Sequence, residues 1–172
     1  MPQRARSEWR REVSIAPARL GARLAPYVAI LVALMIVAAA PVSAADTEVH
    51  RVVDIAKAQR GDPWSFGAEG PASFDCSGFV YYSFRRADLL ERIGGARRTA
   101  QGYWDWFAHR GRASRSHGRR GDLVIWGGGR HMGIYLGNGR AISALTSGVT
   151  IHRLDGLTSS FTTFLHVRLE RG

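Results

Sequence analysis

Apolar positions recur at helical spacing in two stretches of the chain. Val49, Val52, Val53 and Ala56 do so between Thr47 and Gln59, with Gly61 as a natural stop. Phe79, Val80, Phe84 and Ala87 follow the same period after Asp75, a good N-cap residue, so a helix is expected to begin within a residue of Cys76. Gly61 to Pro71, between them, is turn material. Asp88 to Arg98 is charged and carries Gly94-Gly95, which suggests an exposed connection. Thr99 to His109 reads as a short helix whose aromatics (Tyr103, Trp104, Trp106, Phe107) either pack in a core or line a groove. Gly111 to Arg120 is basic and polar and reads as a solvated loop.

From Gly121 the period becomes that of strands. Asp122–Trp126, His131–Leu136, Arg140–Ala144, Val149–His152 and Phe164–Leu169 are the expected strands, and Gly127-Gly128-Gly129 is a flexible joint. Gly137-Asn138-Gly139 is a hairpin signal with two possible registers. A two-residue Asn138-Gly139 turn pairs 136 with 141 and puts Ser143 on the face opposite His131. A three-residue loop with a bulge pairs 133 with 143, and Ser143 then shares the face of His131 as a diagonal neighbour. Helices first and an antiparallel sheet after them define an α+β domain.

The first 45 of the 172 residues differ from the rest. Six arginines (Arg4, Arg6, Arg10, Arg11, Arg19, Arg23) precede an uncharged run from Leu24 to Ala45, and Val42-Ser43-Ala44 fits a small-x-small cleavage pattern. Residues 1–45 read as an export signal cut near Ala44 or Ala45, although the run is also long enough for an uncleaved membrane anchor. The remainder, 46–172, is sized for one domain and is expected to act as a monomer. With Glu8 and Glu12, the leader accounts for +4 of the net +10, which leaves about +6 on the domain. That charge suits an anionic envelope polymer; no nucleic-acid motif accompanies it.

Cys76 is the only cysteine. An exported chain with one thiol cannot close an internal disulfide, so the residue is either a reactive group or an intermolecular partner. At a helix N-terminus the thiol would feel a partial positive charge favouring thiolate, and free backbone N–H groups could hold an oxyanion. The competing role is a small buried hydrophobe. Among the six histidines, His131 opens a strand after the glycine joint, where its side chain can emerge at a sheet edge as the base a cysteine nucleophile needs. No two histidines have helix-face ligand spacing, so a metal site is a poor alternative.

Phe74-Asp-Cys-Ser-Gly-Phe-Val, Arg98-Thr-Ala-Gln101, Arg120-Gly-Asp-Leu-Val and His131-Met-Gly-Ile-Tyr-Leu-Gly-Asn-Gly, in this order, resemble the NlpC-type cell-wall endopeptidases. These are papain-like cysteine peptidases of bacteria. The resemblance runs from about Val49 to Leu169. It implies a papain-like α+β fold, no cofactor, and cleavage of peptidoglycan stem peptides between D-glutamate and a diamino acid. It also implies Cys76 as nucleophile and His131 as base, with Asp75 and Ser77 holding the free amine of a trimmed stem peptide. Arg98 and Gln101 are implied substrate contacts, as is Trp64, which stands where the family carries tyrosine. The third catalytic position, usually histidine, is Ser143 here. An amidase or acyl transferase of the same fold is an alternative, as is a weak or inactive wall-binding module.

Overall fold

The computed structural model describes residues 47–171, so the expected leader lies outside the described residues. Helix α1 is Glu48–Ala58, capped by the Thr47 side chain, and its apolar stripe (Val49, Val52, Val53, Ala56) is buried as the periodicity requires. Helix α2 is Cys76–Arg86 with Asp75 as N-cap. The stretch expected to be an exposed connection instead forms a 3₁₀ turn, Leu90–Ile93, that buries Leu89 and Ile93. Helix α3 is Ala100–Ala108; its Tyr103 and Phe107 are core residues, while Trp104 and Trp106 pack at the core's margin.

The sheet contains β1 (Ala113–Ser114), β2 (Leu123–Trp126), β3 (His131–Gly137), β4 (Arg140–Leu145), β5 (Gly148–Arg153) and β6 (Phe161–Leu165). Its strand order is β1-β6-β2-β3-β4-β5, with every pairing antiparallel. Leu123 and Ile125 join the core cluster that contains α1 and α2, while Val124 and Trp126 join a second cluster with Tyr135, Ala141 and Phe164. Both faces of β2 are therefore covered, which is why Leu-Val-Ile-Trp is apolar throughout rather than alternating.

Two features depart from the sequence expectation. The last strand ends at Leu165, because His166 and Val167 turn their polar atoms to the buried Asp122. Asp122 also accepts from the Arg119 N–H and from Arg171, which closes the end of the chain against the entry to β2. Val167 and Leu169 remain buried, so apolar alternation continues past the last ladder pair. Ala113–Ser114, inside the expected solvated loop, pairs with β6.

The β3–β4 register explains the site. Gly137 pairs with Arg140 and Tyr135 with Ala141, leaving Leu136 as a bulge. Asn138 and Gly139 both have positive φ, as a type I′ turn demands. The turn thus has two residues, yet the bulge restores the other register and sets Ser143 opposite Gly133. Any Cβ at Gly133 would lie 2.5 Å from the Ile142 carbonyl oxygen and 2.8 Å from Ser143 Cβ. Glycine is what lets β4 approach closely enough to place Ser143 beside His131.

Candidate active site

The start of α2 is fixed by one carboxylate. Asp75 Oδ1 accepts from the Gly78 N–H at 2.6 Å and the Ser77 hydroxyl at 2.9 Å; Oδ2 accepts from the Gly67 N–H at 2.9 Å and from the Arg97 guanidinium. The Asp75 N–H donates to the Ala68 carbonyl at 3.0 Å, and a Cβ at Gly78 would overlap that same oxygen. The loop before the helix is therefore pressed onto the helix's first turn, and Cys76 is held between them. Burial pushes the Asp75 carboxyl up, but the bonds from Gly78, Arg97 and Ser77 outweigh it and hold it below the usual range.

Cys76 sits where two clefts meet, and Trp64 and Arg130 line both. One cleft, of about 570 Å³, includes Asp75, Ser77, Arg97 and Arg98; the other, of about 440 Å³, includes His131, Ser147 and Ser159. Burial pushes the Cys76 thiol up. The Met132 N–H pulls it down, the Asp75 charge adds to the rise, and the N–H groups of Ser77 and Cys76 pull it down; the net shift is upward. The helix N-terminus is where the sequence puts it, but burial and the neighbouring carboxylate overcome its preference for thiolate. His131 is pushed by burial, and then by the charge of His152, down to about 4. At neutral pH Cys76 therefore rests as a thiol and His131 as a neutral imidazole.

The other anticipated residues are distributed unevenly. Ser143 Oγ lies 2.9 Å from His131 Nε2, as the diagonal register allows. Trp64 is 37% exposed between the clefts. Arg98 lines the larger cleft, but its guanidinium donates to the carbonyls of Ala96 at 2.8 Å and Gly94 at 3.2 Å and stacks near Trp106. Gln101 donates to Asp105 at 2.8 Å and touches the Gly129 backbone, so it braces the joint before His131 rather than lining either cleft.

Sequence reasoning missed two residues. His152 on β5 places Nε2 2.9 Å from the same Ser143 hydroxyl, on the side away from His131. Its signal was the β4–β5 register, which makes it a diagonal neighbour of Ser143. Arg97 pairs with Asp75 and with Glu69 at 3.0 Å, and its buried Nε has no partner. No periodicity pointed to it. Among the described residues, no three His, Cys, Asp or Glu side chains gather as metal ligands.

The sequence pattern of the NlpC/P60 family matches residues 61–168, and the chain belongs to that family. A probable endopeptidase p60 of Listeria welshimeri is 39% identical over 108 residues, which is 59% of this chain and 19% of that protein. A probable endopeptidase of Corynebacterium glutamicum is 32% identical over 120 residues, 68% of this chain and 54% of that one. Among solved structures, the peptidoglycan hydrolase RipB of Mycobacterium tuberculosis is 28% identical with a TM-score of 0.54, covering 83% of this chain and 77% of its own. The NlpC/p60 domain of the peptidoglycan hydrolase SagA is 26% identical with a TM-score of 0.53, covering 69% and 98%. The fold is therefore the papain-like α+β fold of these domains. The chain spans about a fifth of the length of the Listeria protein.

The buried neutral His131 has a consequence for stability. Between its ordinary pH of 6.5 and about 4, an unfolded chain takes up a proton that the folded one resists. Stability should thus fall as pH drops through that window, by on the order of 3 kcal/mol in total. Urea unfolding at pH 7 and pH 4.5 should show a smaller acid loss for His131→Gln than for wild type. Equal losses in the two proteins would rule out His131 as the source.

Proposed function

We propose that the protein is an exported cysteine endopeptidase that hydrolyses amide bonds in peptidoglycan stem peptides, of the D-glutamyl–diamino acid type. The observation carrying this reading is the placement of Cys76 at a helix N-terminus where two clefts meet, with His131 lining one of them. A peptide laid across the junction would run through both clefts and offer its carbonyl to the sulfur.

His131 engages Ser143 through Nε2, which leaves Nδ1 to take the thiol proton. The sulfur then bonds to the carbonyl carbon, and the carbonyl electron pair moves to oxygen beside the Cys76 N–H. On collapse the C–N bond breaks and the amine leaves with the proton held by His131. Water adds to the thioester, giving its proton to His131; the C–S bond breaks, and that proton returns to sulfur. Because the resting pair is neutral, His131 acts as a general base during attack rather than as the partner of a standing thiolate. The neutral thiol and the serine at the third position favour a second reading, a catalytically weak wall-binding module.

Arg97, Arg98 and Arg130 line the larger cleft with the carboxylate of Asp75; Arg97 is engaged by Asp75 and Glu69, and Arg98 by the Ala96 and Gly94 carbonyls. All four acceptor positions of that carboxylate are occupied. Such a wall offers an ammonium group no open carboxylate acceptor. In place of the free amine that the family resemblance assigns to Asp75 and Ser77, the substrate is accordingly a stem peptide whose amino end is acylated, as when it is still joined to its glycan.

Three measurements test these statements. Cys76→Ser should fold but lose hydrolysis of defined stem peptides, with products identified by mass; substantial retained cleavage would sink the thiol mechanism, and a wild type that binds wall fragments without cutting them would favour the binding module. Wild type should cleave an N-acetylated stem peptide at least as fast as its free-amine twin. Arg97→Ala should raise the relative rate on the free amine about tenfold, the effect of one charge-assisted bond; a wild type already preferring the free amine would defeat the assignment. The mature N-terminus should lie within a residue or two of Ala45. Full-length chain in the membrane fraction would identify an anchor instead.

A further inference from the structure

His131, Ser143 and His152 form one row across β3, β4 and β5, with both histidine Nε2 atoms 2.9 Å from the Ser143 oxygen. Ser143 is fully buried, so its single hydroxyl proton has only these two places to go. Trp126 backs the row, with its ring centroid 5.5 Å from that of His131 and 5.4 Å from that of His152. The indole is itself held by its N–H, which donates to the Leu154 carbonyl at 2.8 Å. The rings are thus seated against a fixed wall rather than free to turn.

The far end of the row sets the direction of its protons. His152 Nδ1 lies 2.9 Å from the Arg153 carbonyl oxygen, which can only accept, so the proton of a neutral His152 is on Nδ1. Its Nε2 is then an acceptor, and the Ser143 hydroxyl must donate to it. The Ser143 oxygen is left to accept from His131 Nε2–H. A neutral His131 protonated at Nε2 has a bare Nδ1, the nitrogen a base needs. Burial keeps both rings neutral at pH 7, since both are shifted below the usual histidine range.

We infer that His152 is a positioning residue, which acts through Ser143 to fix the tautomer of His131 and restores what a serine alone at the third position lacks. A lone serine can turn its proton toward His131 Nε2, and that would put the imidazole proton on Nδ1 and disable the base. His152 removes that choice. It also seats the imidazolium that forms in each turnover, because Ser143, already donating to His152, presents only lone pairs to His131 Nε2–H.

The inference concerns the site of the proposed peptidase, and the first test does not require activity. Histidine side-chain ¹⁵N spectra of the whole protein at pH 7, without substrate, should show Nε2–H for His131 and Nδ1–H for His152. His152→Ala should convert His131 to a mixture of tautomers, and His152→Gln, whose amide oxygen can accept from Ser143, should restore most of the Nε2–H form. On stem peptides, His152→Ala should lower kcat about tenfold with KM within twofold, Ser143→Ala should do the same, and the double variant should be no worse than either single one. Nδ1–H on His131 in wild type would overturn the inference, as would an unchanged His131 tautomer in His152→Ala or additive losses in the double variant. A wild type with the expected tautomers and no cleavage would refute the peptidase reading and leave this row standing.

Discussion

The Asp75 carboxylate is the contact on which the site depends. It caps α2, ties in the preceding loop through Gly67, holds Ser77 and receives Arg97. A carboxylate this buried is tolerable because every acceptor position is filled, and removing one partner would leave polar groups unmatched. The same carboxylate raises the thiol beside it, so the group that positions Cys76 also restrains its ionisation. Architecture and reactivity are opposed at this one atom pair, and architecture prevails in the resting protein.

The second organising constraint is the bulge at Leu136. A ladder without it would turn Ser143 away from the face of His131, while its β4–β5 pairing would still keep it beside His152. With it, close approach at Gly133 brings three strands into one polar row. That row ends at a backbone carbonyl, that of Arg153, two strands away from His131.

Local chemistry made much of this legible. The N-cap at Asp75 and the apolar period after it gave the start of α2, and the glycine joint marked His131. The two hairpin readings bracketed the outcome, but an Asn-Gly turn and an inserted bulge cannot be told apart from composition, because the bulged Leu136 is an ordinary strand residue. The final strand was overextended since Val167 and Leu169 keep an alternation that here reflects burial without pairing. His152 escaped because its role requires two registers to be known together. Arg97 escaped because its meeting with Asp75 spans 22 positions and leaves no periodic trace. The neutral state of Cys76 was out of reach as well: a helix terminus is visible in a sequence, while the depth of a thiol is not.

The two ends of the described chain meet. Glu48, at the first turn of α1, accepts from the Glu170 N–H at 2.9 Å and from Arg92 at 2.7 Å, and the Val49 N–H reaches the Glu170 carbonyl. A polypeptide entering this domain and one leaving it therefore pass through the same small area of surface. Tension applied between the two ends of the described residues would therefore load the Glu48 contacts before it reached the sheet that carries the histidine row.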